Sequence, residues 1–256
     1  MVQSPGGSGA GTLASARANV IASNCKAPTI APLGLVNAAS YAATSLAPDS
    51  LATVFGGNLS SITAQASGSA YPTTLGGATV ALNGQLCPLW YASSGQINFA
   101  VPSNLPSGRY TLSVGTASSD VLITNVPPGI FTLKGDGTGV PLATISGVLN
   151  DGTTVSLAPY QCSNSGCSMS PMALPANLSD LYIVLYGTGI RHYRTISASL
   201  GSIPTEVLFA GSQTQFPGLD QINLHAKGPF NSLSGLQTLR LQVDSIMSNP
   251  VPLQFQ

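Results

Sequence analysis

Two stretches of this chain follow one plan. Residues 88–102, PLWYASSGQINFAVP, and residues 207–229, VLFAGSQTQFPGLDQINLHAKGP, each run from an apolar strand through a Gly-containing break into Gln-Ile-Asn and an alternating strand. Their neighbours repeat in the same order. LATVFGGNLS (51–60) stands to LYIVLYGTGI (181–190), CPLWYAS (87–93) to TEVLFAG (205–211), GQINFAV (95–101) to DQINLHA (220–226), and GRYTLSV (108–114) to LQTLRLQV (236–243). Four matching segments in one order predict an internal duplication, so the fold must be one that a chain can build twice.

The repeated unit is β-structure. From residue 33 short apolar or alternating runs follow one another: LATVF (51–55), ATVAL (78–82), INFAV (97–101) and RYTLSV (109–114). Between them stand Pro48-Asp49, Gly56-Gly57, Gly76-Gly77, Asn83-Gly84 and Pro106-Ser107-Gly108, all turn chemistry. Period-two burial puts Ile97, Phe99 and Val101 on one face, and Leu239, Leu241 and Val243 on another, with Arg240 and Gln242 outward. Asn83-Gly84 fits the two-residue type I′ turn of a hairpin. Long helical periodicity is missing. The pattern predicts an all-β protein of two tandem immunoglobulin-like sandwiches, 33–131 and 132–256, divided near PPGIFTLKGDGTG (127–139). Residues 1–32, Gly- and Ser-rich and closed by KAPTIAPLG, are expected to be a flexible linker or a docking edge strand.

Composition narrows function more than it identifies it. Hydrophobic residues are 43% of the 256, enough for a core, whereas charged residues are only 6% against roughly 25% in an average soluble protein. A net charge of zero removes the basic field that nucleic acid needs. No run of 18 or more apolar residues occurs, so no membrane insertion is expected. The N-terminus lacks the basic start and apolar core of a signal peptide, and the chain reads as beginning after a removed signal or an upstream domain. Cys162 and Cys167, across a short Ser/Asn/Gly loop, predict a local disulfide and hence an oxidising, extracellular or cell-surface setting. Cys25 with Cys87 is the remaining pairing.

The blocks VNAASYAATSLAPDSLATVFGGNLS (36–60), LGGATVALNGQLCPLWYASSGQINFAVPSNLPSG (75–108), PPGIFT (127–132), VLYGTGI (184–190) and FPGLDQINLHA (216–226) resemble an uncharacterised C-terminal domain family abundant in secreted proteins of Acidobacteria, Solibacter in particular. The resemblance implies an extracellular module akin to Ig-like repeats, with no established activity or catalytic residues to carry over. Two departures, GTGIRHYRT and the insertion APYQCSNSGCSMSPM (158–172), fall in the second module.

Searching for chemistry yields little. No Gly-x-Ser-x-Gly elbow occurs, and the only histidines are His192 and His225, the latter expected outward on its strand. The eight acids form no evident glycosidase pair. KGDGTG (134–139) and LNDGTT (149–154) read as Asp-Gly turns rather than calcium loops. The prediction is therefore no enzyme, no metal and no cofactor. Gln96, Asn98, Gln221 and Asn223 read as a folding joint that bonds loop backbone where a strand begins. The candidate ligand or partner site is Arg191, His192, Tyr193 and Arg194, where charge and aromaticity concentrate, with Tyr91 as a second aromatic spot and Trp90 expected to be buried. The leading expectation is a structural or adhesive surface module that associates with itself, as a homo-oligomer or filament built by strand addition; the alternative is a carbohydrate-binding module that recognises cell-surface glycans.

Overall fold

The computed structural model of the chain describes residues 33–164 and 166–256. The expected linker or docking strand, 1–32, lies outside them. Every regular element described is a β-strand, so the protein is all-β. The first half contributes β1 (Gly34–Asn37), β2 (Leu51–Phe55), β3 (Ala64–Gln65), β4 (Val80–Leu82), β5 (Gln85–Leu86), β6 (Leu89–Ala92), β7 (Gln96–Ala100), β8 (Gly108–Val114) and β9 (Ala117–Ile123). The second contributes β10 (Gly129–Ile130), β11 (Ala143–Leu149), β12 (Thr154–Leu157), β13 (Tyr160–Ser163), β14 (Gly166–Met169), β15 (Leu178–Thr188), β16 (Ile196–Leu200), β17 (Ile203–Ser212), β18 (Asp220–Lys227), β19 (Gly235–Val243), β20 (Ile246–Met247) and β21 (Val251–Phe255).

In the first half a sheet ordered β1-β2-β7-β6-β3 faces one ordered β5-β4-β8-β9. Val54, Leu89, Ile97 and Phe99 from the first sheet close against Val80, Leu82, Leu112 and Ile123 from the second, all without exposure. Asn83 and Gly84 both take positive φ and join Leu82 to Gln85, the I′ geometry expected of Asn-Gly. That hairpin is short, because Cys87-Pro88 carries the chain across to the other sheet.

The second half is one folded sheet, β12-β11-β15-β18-β17-β16-β19-β20, with β10 on β15 and β21 on β19. Its corner is β17. Ile203 to Thr205 pair with β16, whereas Glu206 to Ser212 pair with β18. The fold brings Leu181, Ile183, Leu185, Ile222 and Leu224 onto one core with Leu239, Leu241, Val243, Leu253 and Phe255. Val126 and Ile130, which the sequence division placed with the first half, pack in this second core. Residues 33–256 belong to a single compact unit that contains both cores.

The duplication is legible in register. β2 pairs β7 with Thr53 opposite Asn98 and Val54 opposite Ile97; β15 pairs β18 with Val184 opposite Asn223 and Leu185 opposite Ile222. The partner strands share a bulge, between Leu89 and Tyr91 in β6 and between Val207 and Phe209 in β17. Trp90 and Leu208 are therefore counterparts. The alignment 51–60 with 181–190 is off by one: by register Val54 corresponds to Leu185, not Val184.

Cys162 and Cys167 form the expected disulfide, directly opposite each other in the hairpin β13–β14, which pairs with no other strand. Of the remaining pairing, Cys87 is a free thiol in the first core with its pKa pushed up to about 12 by burial. Cys25 lies outside the described residues.

Candidate functional site

The four residues singled out after the GTG turn are built into the fold rather than presented by it. Asp220 opens β18 with no exposed side chain, and Arg191 Nε meets its Oδ1 at 2.6 Å. Ile190 N donates to Asp220 Oδ2 at 2.8 Å, and the Arg191 terminal nitrogen donates to Leu219 O at 2.9 Å. Burial pushes the Asp220 carboxyl up, and the Arg191 guanidinium and the Ile190 N–H act against that shift. His192 Nε2 lies 3.0 Å from Asp49 Oδ2, a contact from the second half to the first. Tyr193 packs on the second core. Arg194 and Thr195 donate their backbone N–H groups to Asp244 Oδ1 at 2.8 and 2.7 Å, and these bonds hold that carboxyl below the usual range. Only His192 and Arg194 of the four are exposed. Tyr91 sits on β6, away from this loop in the chain's pairing, opposite Asn98 and Gln65.

The Gln-Ile-Asn device also differs from its expected role. Gln96 Nε2 donates to Asn98 Oδ1 at 2.8 Å, and Gln221 Nε2 donates to Asn223 Oδ1 at the same distance. The amides bond each other along the outer face, not loop backbone, while Ile97 and Ile222 are fully buried between them. Alternation explains the geometry, since positions i and i+2 share a face.

The motif residues converge instead on the junction of the two halves. Thr188 Oγ1 accepts the Leu51 N–H at 2.7 Å and donates to Gly218 O at 2.7 Å, with the hydroxyl fully buried. Asn37, also without exposure, donates to Pro127 O at 2.9 Å and accepts from Ala39 N and Ser40 N. Asn249 accepts from Ile130 N and donates to Gly137 O. Chains approach here too closely for a side chain. A Cβ on Gly218, where φ is +80°, would stand 2.8 Å from Leu51 Cγ, and one on Gly189, at φ +73°, would press on Pro127 O. These contacts account for VNAAS, PPGIFT, GTG and FPGL as one assembly.

Beside the junction lies an aromatic surface. The bulge turns Trp90 out of the first core, correcting its expected burial. Leu89 and Ala92 face the core in its place, and Trp90 is half-buried against Leu51 and Ala100. Tyr71 meets it edge-on, rings 6.3 Å apart at 90°. Two hollows, about 390 and 370 Å³, share Trp90, Phe216 and Leu219 as wall. Leu51, Gln65 and Tyr71 also line the first; Phe131, Tyr186, Gln213 and Gln215 also line the second. No charged side chain lines either one.

His225 is on the outer face of β18 as expected, but it is no free surface imidazole. Its ring stacks on Tyr182 at 4.7 Å, with Nε2 2.7 Å from Asp180 Oδ1 and Nδ1 3.4 Å from Glu206 Oε2. Asp136 and Asp151 accept the N–H groups of Thr138 and Thr153 two residues on, which is turn geometry. No group of three or more His, Cys, Asp or Glu able to hold a metal occurs among the described residues.

Comparison with known proteins carries nothing over to this chain. No family model matches the sequence, and no curated protein matches it; the Solibacter-type resemblance stands on the quoted blocks alone. Among solved structures the chain is similar to domains 5–6 of the S-layer protein SbsC, at 12% identity and TM-score 0.25 over 88% of this chain and 97% of that one. It is also similar to InvD of Yersinia pseudotuberculosis, at 12% identity and TM-score 0.24 over 88% and 57%. A titin I9–I11 tandem follows at 9% identity and TM-score 0.18 over 83% and 95%. Likenesses this distant transfer no function.

Proposed function

We propose that this chain is a non-enzymatic extracellular module with a structural or adhesive role, in which two sandwich cores are locked into one body. The observation that carries this reading is the junction. Buried Thr188 and Asn37 tie backbone of one half to backbone of the other, and glycines let the chains close to contact. Sites that act on substrates commonly sit where parts can move, whereas this junction is closed by buried hydrogen bonds. The residues richest in chemistry support the same reading, because Arg191, His192 and His225 already face carboxylates. An exposed disulfide on β13–β14 supports an oxidising surrounding.

Self-association by strand addition is the finer form of the proposal. β3, β5 and β20 have two residues each, too short to template much pairing, and among the described strands β9 with seven residues is the longest outer one, its end held at Leu122 by Leu46. Fractionation and surface labelling of producing cells test the compartment: recovery in the medium or envelope is expected, and recovery confined to cytosol would overturn the proposal. Light scattering of the non-reduced protein tests assembly, with oligomers expected and a monomer at all concentrations removing the self-association arm.

A further inference from the structure

We infer that the Trp90 groove is a binding site for a neutral polysaccharide chain. Three features of the groove point to this ligand class. First, a bulge is a device that re-aims a side chain, and here it moves the one tryptophan of the chain from core to surface. Second, the wall pairs planar apolar faces with amides. Trp90, Tyr71 and Phe216 offer rings on which the C–H face of a sugar stacks, and the side-chain amides of Gln65 and Gln215 carry no hydrogen bond among the described residues. Such amides suit sugar hydroxyls, because each presents both a donor and an acceptor. Third, both hollows are free of charged lining, so the site has no means of holding an ionic ligand against its hydration. Each hollow reaches the size range of small-molecule sites, and their shared wall suits successive rings of one chain better than a single sugar.

The site differs from the loop at Arg191–Arg194 that the sequence suggested, and it is built across the junction, with Tyr71 and Trp90 from the first half and Phe216 and Leu219 from the second. A proline-rich peptide would also stack on Trp90, but it offers few hydroxyls to Gln65 and Gln215.

Trp90 is its own reporter, since no other tryptophan contributes emission. Titration of the full chain with cellohexaose, xylohexaose, mannohexaose, maltohexaose and fully N-acetylated chitohexaose should give a saturable emission change with at least one. Gln65→Ala and Gln215→Ala should each weaken that response about 2- to 10-fold, the range for one neutral hydrogen bond. In affinity gels cast with the matching polysaccharide, Trp90→Ala should abolish retardation, and Trp90→Phe, which keeps a ring in the bulge, should reduce it. Polygalacturonate should give no retardation. Silence with all five oligosaccharides would overturn the inference. So would a response indifferent to both glutamine changes, retention that survives Trp90→Ala, or tighter binding of a polyproline peptide than of any sugar. None of these failures touches the compartment or assembly tests.

Discussion

The two bulged hairpins share a backbone but not a fate. In the first half Leu51 sits opposite Ala100, and the Phe216–Leu219 loop of the second half closes over them, Gly218 against Leu51. At the same register in the second half, Tyr182 sits opposite His225. There the space is filled from within, by the Tyr182–His225 stack and the flanking carboxylates of Asp180 and Glu206. Asp49, two residues before Leu51, reaches the other half through His192; Asp180, two residues before Tyr182, bonds the histidine of its own sheet. Small and aliphatic residues make a surface that must be covered, whereas an aromatic–charge stack makes one that can face water.

A series of substitutions probes this contrast, beginning with the largest effect. Arg191→Ala leaves the Asp220 carboxylate buried without its partner, which should cost about 3–5 kcal/mol in denaturant unfolding. A wild-type stability would show instead that Arg191 is free for a ligand. Exchanging the ends comes next. Leu51→Tyr with Ala100→His gives the first half the closed surface of the second, and the larger side chains meet Gly218. Overpacking of roughly 1–3 kcal/mol should fall on the junction alone, read as new proteolytic cleavage between residues 124 and 143. Thr188→Val removes the acceptor for the buried Leu51 N–H and should cost about 1–3 kcal/mol, while Thr188→Ser should stay near wild type.

The smallest effect belongs to the capped surface. His225→Ala should change stability least of the series, because the carboxylate it faces is open to solvent. Its signature is pH. The Ser179 hydroxyl and His225 hold the Asp180 carboxyl below the usual carboxylate range. Stability from that group is complete above the unfolded value near about 3.9 and is lost as pH falls through the lower folded value. Asp180→Asn should flatten the acid limb of a stability–pH curve and lower its plateau above pH 5 by a constant amount.

Strand positions, the Asn83-Gly84 hairpin, the Cys162–Cys167 bridge and the burial of Ile97, Phe99 and Leu241 were all legible, because each depends on near neighbours or on period-two alternation. What escaped reading depends on single-residue offsets and distant partners. A bulge inserts one residue that alternation does not register, so Trp90 was assigned to the core and the β2–β15 alignment slipped by one. Arg191 is 29 residues from Asp220, and nothing local marks Asp220 as buried. A loop rich in Arg, His and Tyr looks the same in sequence whether it grips a ligand or the protein itself. The signal that could have corrected it was the Asp directly before Gln-Ile-Asn in the second copy, where the first copy has Gly95.

Differential scanning calorimetry of the full chain tests the locked junction most directly. If the two cores unfold together, there is one transition and the calorimetric and van't Hoff enthalpies agree; Thr188→Val should then move that transition down or begin to split it. Two resolved transitions in the wild-type protein, or a calorimetric enthalpy near twice the van't Hoff value, would mean that the halves are merely adjacent, and the account would fail.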